Sequence, residues 1–338
     1  LGLDDTDSLA GGCTTKTMEE LILNLPKNVQ VGTVRLVRLW PFASGRTRGN
    51  AALAVELQCE DEEFLIAHLN SWWMNELSPL KGLISPSHHS DRPQVPSDPG
   101  MVWFDSQPDE LHYWSAVQHH VAIDDVPPAT KSWGGAGVIG ATAAVAWPGR
   151  TSTWEAIAWR HTSDGSKPRS VCLESLEEID SWPGTFMSRD PRSGTSLIAP
   201  RGHSPVLCGV RAKTELEASK ALAHVLSSQH TERSAGSRTF MTNQATGDHL
   251  QPATRAVVEE IEVHSQRKHA RIQTSDGIWV SFGEGGPVNQ LSRWLNKGDL
   301  VEMKGLKSDD GTFHLEQLRV VSWNARNKQR PLCSVCNV

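Results

Sequence analysis

The stretch LDDTDSLAGGCTTK, residues 3–16, decides how the first part of the chain folds. A short apolar run leads into three aspartates within four residues, and a Gly-Gly pair then precedes Cys-Thr-Thr. The pattern after it predicts a helix over Thr15–Asn24. The stretch therefore indicates a strand, a loop of carboxylates and a helix, in that order.

The three aspartates, Asp4, Asp5 and Asp7, carry the chemical signal of this stretch. Carboxylates crowded together repel one another unless a cation lies among them, and Asp with Mg²⁺ is a usual partner of nucleotide phosphates. The cluster therefore predicts Mg²⁺ and ATP as ligands.

The residues after the aspartates point to the same ligands. Gly11-Gly12 lets the backbone approach a ligand closely, and Thr14 and Thr15 lie near the positive end of the predicted helix, where phosphate is favoured. An acidic turn followed by an ordinary threonine N-cap would give the same local pattern. The pattern alone leaves both interpretations open.

A second polar cluster consists of RLVRLWP, residues 35–41, and RTRGN, residues 46–50. Arginine suits bidentate contact with phosphate and can spread the charge of a phosphoryl group in transfer. These arginines are candidate ligands of ATP or of an RNA backbone. A solvated strand face is the alternative.

Length and composition set the broad class. The 338 residues, with 38% hydrophobic and 21% charged side chains, predict a folded chain of two or three domains. No apolar stretch approaches the roughly 20 residues that span a bilayer, so we expect a cytoplasmic protein without a membrane partner. The net charge of −6 excludes a uniformly basic surface but not a local RNA-binding groove. Six scattered cysteines make a disulfide framework improbable.

Residues 1–150 hold most of the polar chemistry, with strand-like runs at 31–39 and 51–57. Residues 85–100 contain four prolines and predict a long exposed loop.

Residues 151–252 approximate the βαββαβ order of a ferredoxin-like unit. Its strands are predicted at 153–160, 184–187, 196–199, 205–210 and 238–243, and its helices at 171–179 and 215–226.

Residues 253–323 show three strands, a helix over 288–295 and two more strands, 300–304 and 312–321. This is the order of an OB-fold, a small barrel widely used on single-stranded nucleic acid.

Residues 324–338 contain a Cys-x-x-Cys, Cys333 and Cys336, after three basic residues, Arg326, Lys328 and Arg330. Two thiolates are half of a closed zinc site, and the setting of a redox motif is missing. We interpret the segment as a truncated zinc ribbon. Because the sequence lacks an initiator Met and ends shortly after Cys336, we expect it to be part of a longer chain.

Other common catalytic patterns are missing from the sequence. The fourteen histidines show no HExxH spacing, and most are expected at the surface. The absence of a Gly-x-Ser-x-Gly elbow, a Walker loop and a dinucleotide fingerprint argues against hydrolases, P-loop enzymes and dehydrogenases.

Taken together, these dispersed segments resemble the tRNA 2-agmatinylcytidine synthetase family, archaeal enzymes that modify the wobble cytidine of the isoleucine tRNA with the CAU anticodon. The resemblance runs nearly end to end. Its markers are residues 3–8 with 13–15, 35–41 with 47–50, 98–100, 137–141, 199–200 with 205–211, and 242–244 with 249–250.

The resemblance implies an α+β multidomain protein: a kinase-like ATP domain (1–150), a ferredoxin-like domain (151–252), an OB-fold barrel (253–323) and the start of a zinc ribbon (324–338). It implies catalytic roles for Asp4, Asp5 and Asp7 with Mg²⁺, and makes Thr14 the position at which the family phosphorylates itself. The ATP-binding residues are expected to be Thr6, Ser8, Gly12, Thr15, Arg46, Arg48 and Asn50. Arg326, Lys328 and Arg330 are expected to contact RNA, and Cys333 and Cys336 to bind structural zinc.

The chemistry implied for the family is ATP-dependent phosphorylation of the cytidine C2 oxygen, followed by attack of agmatine at C2. Two alternatives stay open at this point. One is a non-catalytic RNA-binding protein with a degenerate first domain, and the other is a synthetase that uses another amine.

Overall fold

A computed structural model describes residues 1–7, 11–46, 49–83, 95–164, 167–190, 193–200 and 204–324. The chain divides into two compact units, Leu1–Asp248 and His249–Val338. Within the described residues, no helix combines the length and the apolar character needed to cross a membrane.

The first unit is built on one sheet in the order β5-β4-β1-β3-β2-β9-β6-β8-β7. Neighbouring strands are antiparallel except β2 and β9, which run parallel. The strands are β1 (Gly2–Asp4), β2 (Gln30–Arg38), β3 (Ala51–Gln58), β4 (Gly100–Trp103), β5 (Lys131–Gly134), β6 (Thr153–Arg160), β7 (Thr185–Phe186), β8 (Val206–Ala212) and β9 (Ser234–Thr242).

Helices cover both faces of this sheet. They are α1 (Thr14–Asn24), α2 (Glu62–Trp72), α3 (Leu111–Gln118), α4 (Gly137–Ala146), α5 (Leu173–Asp180) and α6 (Glu215–Ser227). Because side chains alternate along a strand, Leu36 of β2 joins the core that contains Met18 of α1, whereas Val37 joins the core that contains Trp147 and Ala143 at the end of α4. The central strands are therefore buried on both faces.

The junction between β2 and β9 relies on the side chain of Asn243. The parallel pairing registers Arg35 with Met241 and Leu36 with Thr242. Beyond it, Asn243 Oδ1 accepts from the Arg38 amide at 2.7 Å, and Asn243 Nδ2 donates to the Arg38 carbonyl at 2.9 Å and to the Tyr113 hydroxyl at 2.9 Å. The buried amide thus continues the ladder between the two halves of the sheet.

The second unit is a closed barrel in the order β10-β11-β12-β14-β13, with β12 and β14 parallel. Trp279 fills its core and stacks on Phe313 with ring centroids 4.4 Å apart. The elements are β10 (Thr254–Val263), β11 (Ala270–Thr274), β12 (Gly277–Ser281), α7 (Pro287–Trp294), β13 (Leu300–Lys307) and β14 (Phe313–Ser322).

The structure confirms a mixed α+β chain with a five-stranded barrel, and the predicted order of three strands, helix and two strands. The strand predicted at 196–199 is wrong. Ser196 forms only an isolated bridge with Arg189, because Leu197 N–H bonds to Ser188 while the Ile198 carbonyl accepts from Gly209. With two different partners, no continuous ladder forms. Most of the predicted loop 85–100 lies outside the described residues.

We expect Asn243→Ala to lower the free energy of unfolding by about 2–3 kcal/mol, because it leaves buried donors and acceptors of Arg38 and Tyr113 without partners. Asn24→Ala is the control, since its amide makes one exposed hydrogen bond at the end of α1. Urea unfolding of both variants measures the difference. Equal losses would show that Asn243 does not hold the junction.

Candidate functional site

The carboxylate loop begins where β1 ends. Asp4 Oδ1 accepts from the Asp5 amide at 2.7 Å. Asp5 has a left-handed backbone, with φ of 55°, a conformation that Asp tolerates better than most residues. This turn directs the aspartates away from the sheet and toward the space beside α4.

The N-terminus of α4 packs against this loop with almost no side-chain volume between them. A Cβ at Gly140 would lie 1.9 Å from Asp4 Oδ2, and one at Gly137 would lie 2.8 Å from the Asp4 carbonyl oxygen. On the neighbouring strand, a Cβ at Gly100 would lie 2.0 Å from the Val138 amide nitrogen. Glycine at these positions therefore sets the distance between the helix end and the carboxylates.

Asp98 ties the loop and the helix together. Its amide donates to Asp5 Oδ2 at 2.9 Å, and its own Oδ2 accepts from the Ala136 amide at 2.7 Å. Lys81 Nζ lies 3.0 Å from Asp98 Oδ1. Although its partial burial opposes ionisation, these donors hold the pKa of Asp98 below its usual value. Asp98 is thus an ionised residue that holds the carboxylate loop against the start of α4.

Asp4 and Asp5 have the opposite electrostatic character. Burial, followed by the charge of Asp5, raises the pKa of Asp4 well above its usual value. Burial also raises the pKa of Asp5 to about 7, and the charges of Asp7 and Asp98 add to that shift. In the described part of the chain, the surroundings of Asp4 and Asp5 therefore oppose their negative charge, and a cation would stabilise it.

A cavity of about 290 Å³, which we call the carboxylate cavity, lies beside this cluster. Asp4, Asp5 and Asp7 line it together with Arg46 and Asn50. Asn50 is oriented by a 2.8 Å hydrogen bond from its Nδ2 to the Trp40 carbonyl. The other contributors to the wall include Trp40, Gly49, His119, His120, Gly137 and Gly140. Acidic, basic and aromatic groups thus converge on one space.

A second cavity of about 310 Å³, the threonine cavity, is lined by Thr14 and Thr15 at the start of α1. The Thr15 hydroxyl is engaged, because it accepts from Trp159 Nε1 at 3.2 Å and lies 2.9 Å from Cys13 Sγ. The Thr14 hydroxyl makes no hydrogen bond to a residue that the structure describes. Asp7 and Gly49 line both cavities, so the two spaces adjoin.

Two of the predicted ATP ligands have their contacts within the chain. The buried Thr6 hydroxyl donates to Thr17 Oγ1 of α1 at 3.2 Å. Gly12, at φ of 79°, brings the backbone against the loop itself, since a Cβ there would lie 3.1 Å from Asp7 Cα. Neither residue lines the two cavities. Ser8, Arg48, Arg326, Lys328, Arg330, Cys333 and Cys336 lie outside the described residues.

The two arginines of the second polar cluster that lie on β2, Arg35 and Arg38, point to opposite faces of that strand. Arg35 donates to the Trp147 carbonyl at 3.0 Å, away from both cavities, whereas Arg38 lines the threonine cavity. An odd spacing along a strand places side chains on opposite faces. Of these two candidate phosphate ligands, only Arg38 is therefore near the site.

Sequence reasoning missed several charged or ring residues of the two walls. Glu155 and Arg211 line the threonine cavity, and His119 and His120 line the carboxylate cavity. Arg211 and Asp98 stood in family markers without an assigned role. For Glu155, which lies within a strand-like run, the sequence offered no signal beyond a charge among apolar neighbours.

Comparison with known proteins assigns the family. The family model described as TiaS TCKD domain matches residues 1–136, and that described as TiaS FLD domain matches residues 135–249. The isoleucine-tRNA 2-agmatinylcytidine synthetase TiaS of Pyrobaculum neutrophilum is 30% identical, over 99% of this chain and 82% of the relative. The chain belongs to the tRNA 2-agmatinylcytidine synthetase family.

Other similarities agree with this assignment. The synthetase of the same name from Pyrococcus horikoshii is 31% identical over 74% of this chain, and the match spans 59% of that enzyme. A solved structure described as a complex of TiaS with isoleucine tRNA and ATP superposes with a TM-score of 0.77 at 26% identity, over 96% of this chain and 81% of the other. The resemblance seen in the sequence is therefore confirmed.

The described residues include no group of three or more His, Cys, Asp or Glu side chains arranged to hold a metal ion. Mg²⁺, however, is commonly held by one or two carboxylates together with substrate phosphates and water. The oxygen ligands and mutual repulsion of Asp4, Asp5 and Asp7 fit that manner of binding.

In metal-free buffer, Asp5→Asn should stabilise the protein, and the gain should grow with pH. The folded pKa of about 7 lies above the ordinary value of 3.8, so ionisation costs stability increasingly between these pH values and the cost levels off above 7. Melting temperatures from pH 4 to 8 in EDTA measure the effect.

Glu60→Gln, at an exposed turn before α2, controls for the loss of one negative charge. A gain for Asp5→Asn that shrinks toward pH 7 would contradict the assignment of strain to the ionised cluster.

Proposed function

We propose that the chain joins agmatine to C2 of the wobble cytidine of the isoleucine tRNA with a CAU anticodon, in an ATP-dependent reaction that forms agmatidine. The observation that carries the proposal is the meeting of the carboxylate cavity and the threonine cavity at Asp7. The names of the family relatives and the complex with isoleucine tRNA and ATP support the substrates.

ATP is assigned to the carboxylate cavity. Asp4, Asp5 and Asp7 would hold its Mg²⁺, which neutralises phosphate charge when bound. Arg46 and Asn50 line the same space, and the positive end of α4 faces it at Gly137. Thr6 and Gly12 support the loop from within, and Ser8, Thr15 and Arg48 remain proposed contacts. The aromatic wall at Trp40 suits a nucleotide base.

Thr14 is assigned as the residue that receives a phosphoryl group. Its hydroxyl, unlike that of Thr15, is not engaged by a described neighbour, and it lies at the N-terminus of α1, where the helix dipole favours negative charge. Asp7 stands between the two cavities, beside the route from ATP to Thr14.

The reaction on the base would proceed in two steps. The C2 oxygen would first form a bond to a phosphorus of ATP, while the bond from that phosphorus to the rest of the nucleotide breaks and the nucleotide fragment leaves with the bonding electrons. The amine nitrogen of agmatine then bonds to C2 and loses a proton, while the C2–O bond breaks and phosphate leaves with the bonding electrons. Water would compete as a nucleophile, so the cytidine must leave its stack and enter a space shielded from solvent.

The finer domain assignments belong to the same proposal. We assign residues 1–150 to a kinase-like ATP domain. The strand order β9-β6-β8-β7 with α5 and α6 supports a ferredoxin-like domain over 151–252, and the closed barrel supports an OB-fold over 253–323. Residues 324–338 are assigned to the start of a zinc ribbon, with Cys333 and Cys336 as zinc ligands and Arg326, Lys328 and Arg330 as RNA contacts. A cytoplasmic location is proposed with the function.

A non-catalytic RNA-binding role is less well supported. A scaffold gains nothing from crowded carboxylates such as Asp4 and Asp5, whose ionisation is opposed by their surroundings. The relatives are also named as synthetases of 2-agmatinylcytidine rather than of another modified base, which disfavours a different amine.

Nucleoside mass spectrometry of the isoleucine tRNA, after incubation with the protein, ATP and agmatine, should show an agmatine adduct at the wobble cytidine. Asp7→Asn should reduce ATP cleavage and the adduct at least about 100-fold, because it removes charge from a cation site at constant volume. Asp61→Asn, which retains the N-cap oxygen of α2, should keep both. An intact protein that forms no adduct would refute the function.

Thr14→Val should abolish self-phosphorylation while keeping the β-branched shape at the start of α1. Thr15→Val removes the adjacent hydroxyl, which already bonds to Trp159, and decides between the two threonines rather than serving as a neutral control. Incubation with radiolabelled ATP followed by peptide mapping measures both. Phosphate that persists in Thr14→Val and disappears in Thr15→Val would show that Thr15, and not Thr14, receives the phosphoryl group.

A further inference from the structure

Three charged side chains from β2, β6 and β8 meet at the wall of the threonine cavity. Arg38 of β2 donates from Nη2 to Glu155 Oε2 at 2.6 Å, and Arg211 Nε of β8 lies 3.5 Å from Glu155 Oε1. Glu155 itself, on β6, is only 3% exposed. We call these three residues the Arg-Glu-Arg triad.

The triad carries an excess of positive charge. Arginine is always protonated. Burial opposes ionisation of Glu155, but the charges of Arg38 and Arg211 outweigh it and hold the pKa of Glu155 below its usual value. One carboxylate between two guanidinium groups leaves one positive charge uncompensated. Among the described residues of this wall, Asp7 is the other charged one, and it adjoins the proposed Mg²⁺ position.

Donors of the triad are left unused. Arg38 Nε and Arg211 Nε are buried and make no hydrogen bond within the described part of the chain. A buried donor without a partner is unfavourable, and a desolvated surplus charge is more so. Two planar guanidinium forks facing one cavity match an oxyanion, which can accept from both.

The start of α1, which lines the same cavity, favours the same kind of ligand. α1 begins there without a side-chain cap and without an acidic residue in its first turn, whereas α2 and α6 are capped by Asp61 and Thr214. The positive end of α1 and the Arg-Glu-Arg triad therefore border one space of about 310 Å³, roughly ten times the volume share of one water molecule.

We propose that Arg38, Glu155 and Arg211 form a phosphate-binding subsite in the threonine cavity, in which Glu155 positions the two arginines and the arginines bind the oxyanion. A cationic amine is disfavoured there, because Glu155 is already shared by two guanidinium groups and the surplus charge repels cations.

The inference deepens the proposed function and rests on it for the source of the phosphate. As agmatine bonds to C2 and the C2–O bond breaks, the departing phosphate takes up the electron pair and increases its negative charge. The Arg-Glu-Arg triad would stabilise that charge. It would also accept a phosphoryl group carried by Thr14, which lines the same cavity.

The first test is binding of inorganic phosphate to the full chain with Mg²⁺ present, followed by phosphorus NMR or calorimetry. We expect Arg38→Gln and Arg211→Gln each to weaken binding at least about tenfold, the range of a charge-assisted hydrogen bond. Arg150→Gln is the control, since its exposed ion pair with Glu110 lies outside the cavity. Undetectable phosphate binding by the parent chain would overturn the proposal.

Glu155→Gln gives a test of opposite sign. The substitution keeps an amide oxygen that can still accept from Arg38 and raises the positive charge of the triad at constant volume, so phosphate should bind more tightly than to the parent chain. A purely structural role for the ion pairs would give equal or weaker binding, and that result would overturn the proposal. Circular dichroism and thermal melting check that each variant is folded.

Two further arms identify the source of the bound group. Undiminished binding of free phosphate to Thr14→Val supports a subsite that binds released phosphate without the Thr14 hydroxyl. A dinucleotide with a single phosphodiester should compete only weakly. If the dinucleotide competes as strongly as unlabelled inorganic phosphate does, the site is an RNA-backbone contact and the proposal fails.

Agmatine binding separates this inference from the proposed function. Loss of agmatine binding in Glu155→Gln, with phosphate binding unchanged, would make the cavity an amine site and overturn the subsite. Normal adduct formation by Arg211→Gln would overturn its role in the reaction while leaving the function intact. Phosphate binding by a chain that forms no adduct would instead refute the function and leave the subsite standing.

Discussion

Electrostatic repulsion among Asp4, Asp5 and Asp7 is the constraint on which the site depends. The chain cannot relieve it by separating the groups, because the turn at Asp5 is fixed by its hydrogen bond to Asp98 and by the helix end behind Asp4. Burial is the main obstacle to ionisation of Asp4, and the charges of Asp5 and Asp7 add to it. The close packing at Gly137 and Gly140 holds the aspartates in place in spite of the free-energy cost of ionising them. A cation with phosphate ligands would lower that cost.

The sheet also supplies residues to the walls of both the carboxylate cavity and the threonine cavity. Alternation along β2 places Leu36 and Arg38 on the wall of the threonine cavity, while Leu39 contributes to the carboxylate cavity. The short parallel junction with β9, completed by Asn243, brings Glu155 of β6 into contact with Arg38. The part of the chain after residue 150 thus completes a wall that begins near the N-terminus.

Local patterns were sufficient for some elements and insufficient for others. The runs at 31–39 and 51–57 and the helix after Cys13 were predictable, because alternation and a clear helix start dominate there. The strand expected at 196–199 failed because its backbone groups bond to two different partners. In the site, Asp4, Asp5, Asp7 and Thr14 stand close together in sequence, so the sequence alone displays their chemistry. Glu155 and Arg211 lie more than 50 residues apart and reach Arg38 only through the order of β2, β9, β6 and β8. Their proximity depends on which strands pair in the sheet, and a single sequence does not reveal that pairing.

Charge is distributed unequally between the two cavities, and this suits phosphoryl transfer. Without a cation, the carboxylate cavity repels phosphate, because Asp4, Asp5 and Asp7 outnumber the one arginine, Arg46, among its described lining residues. The threonine cavity offers a helix N-terminus and two arginines. Because Coulomb interactions strengthen in partly desolvated spaces, a gradient of this kind would favour movement of the group past Asp7 in one direction. The same gradient would hold the phosphate away from the amine as the new C–N bond forms.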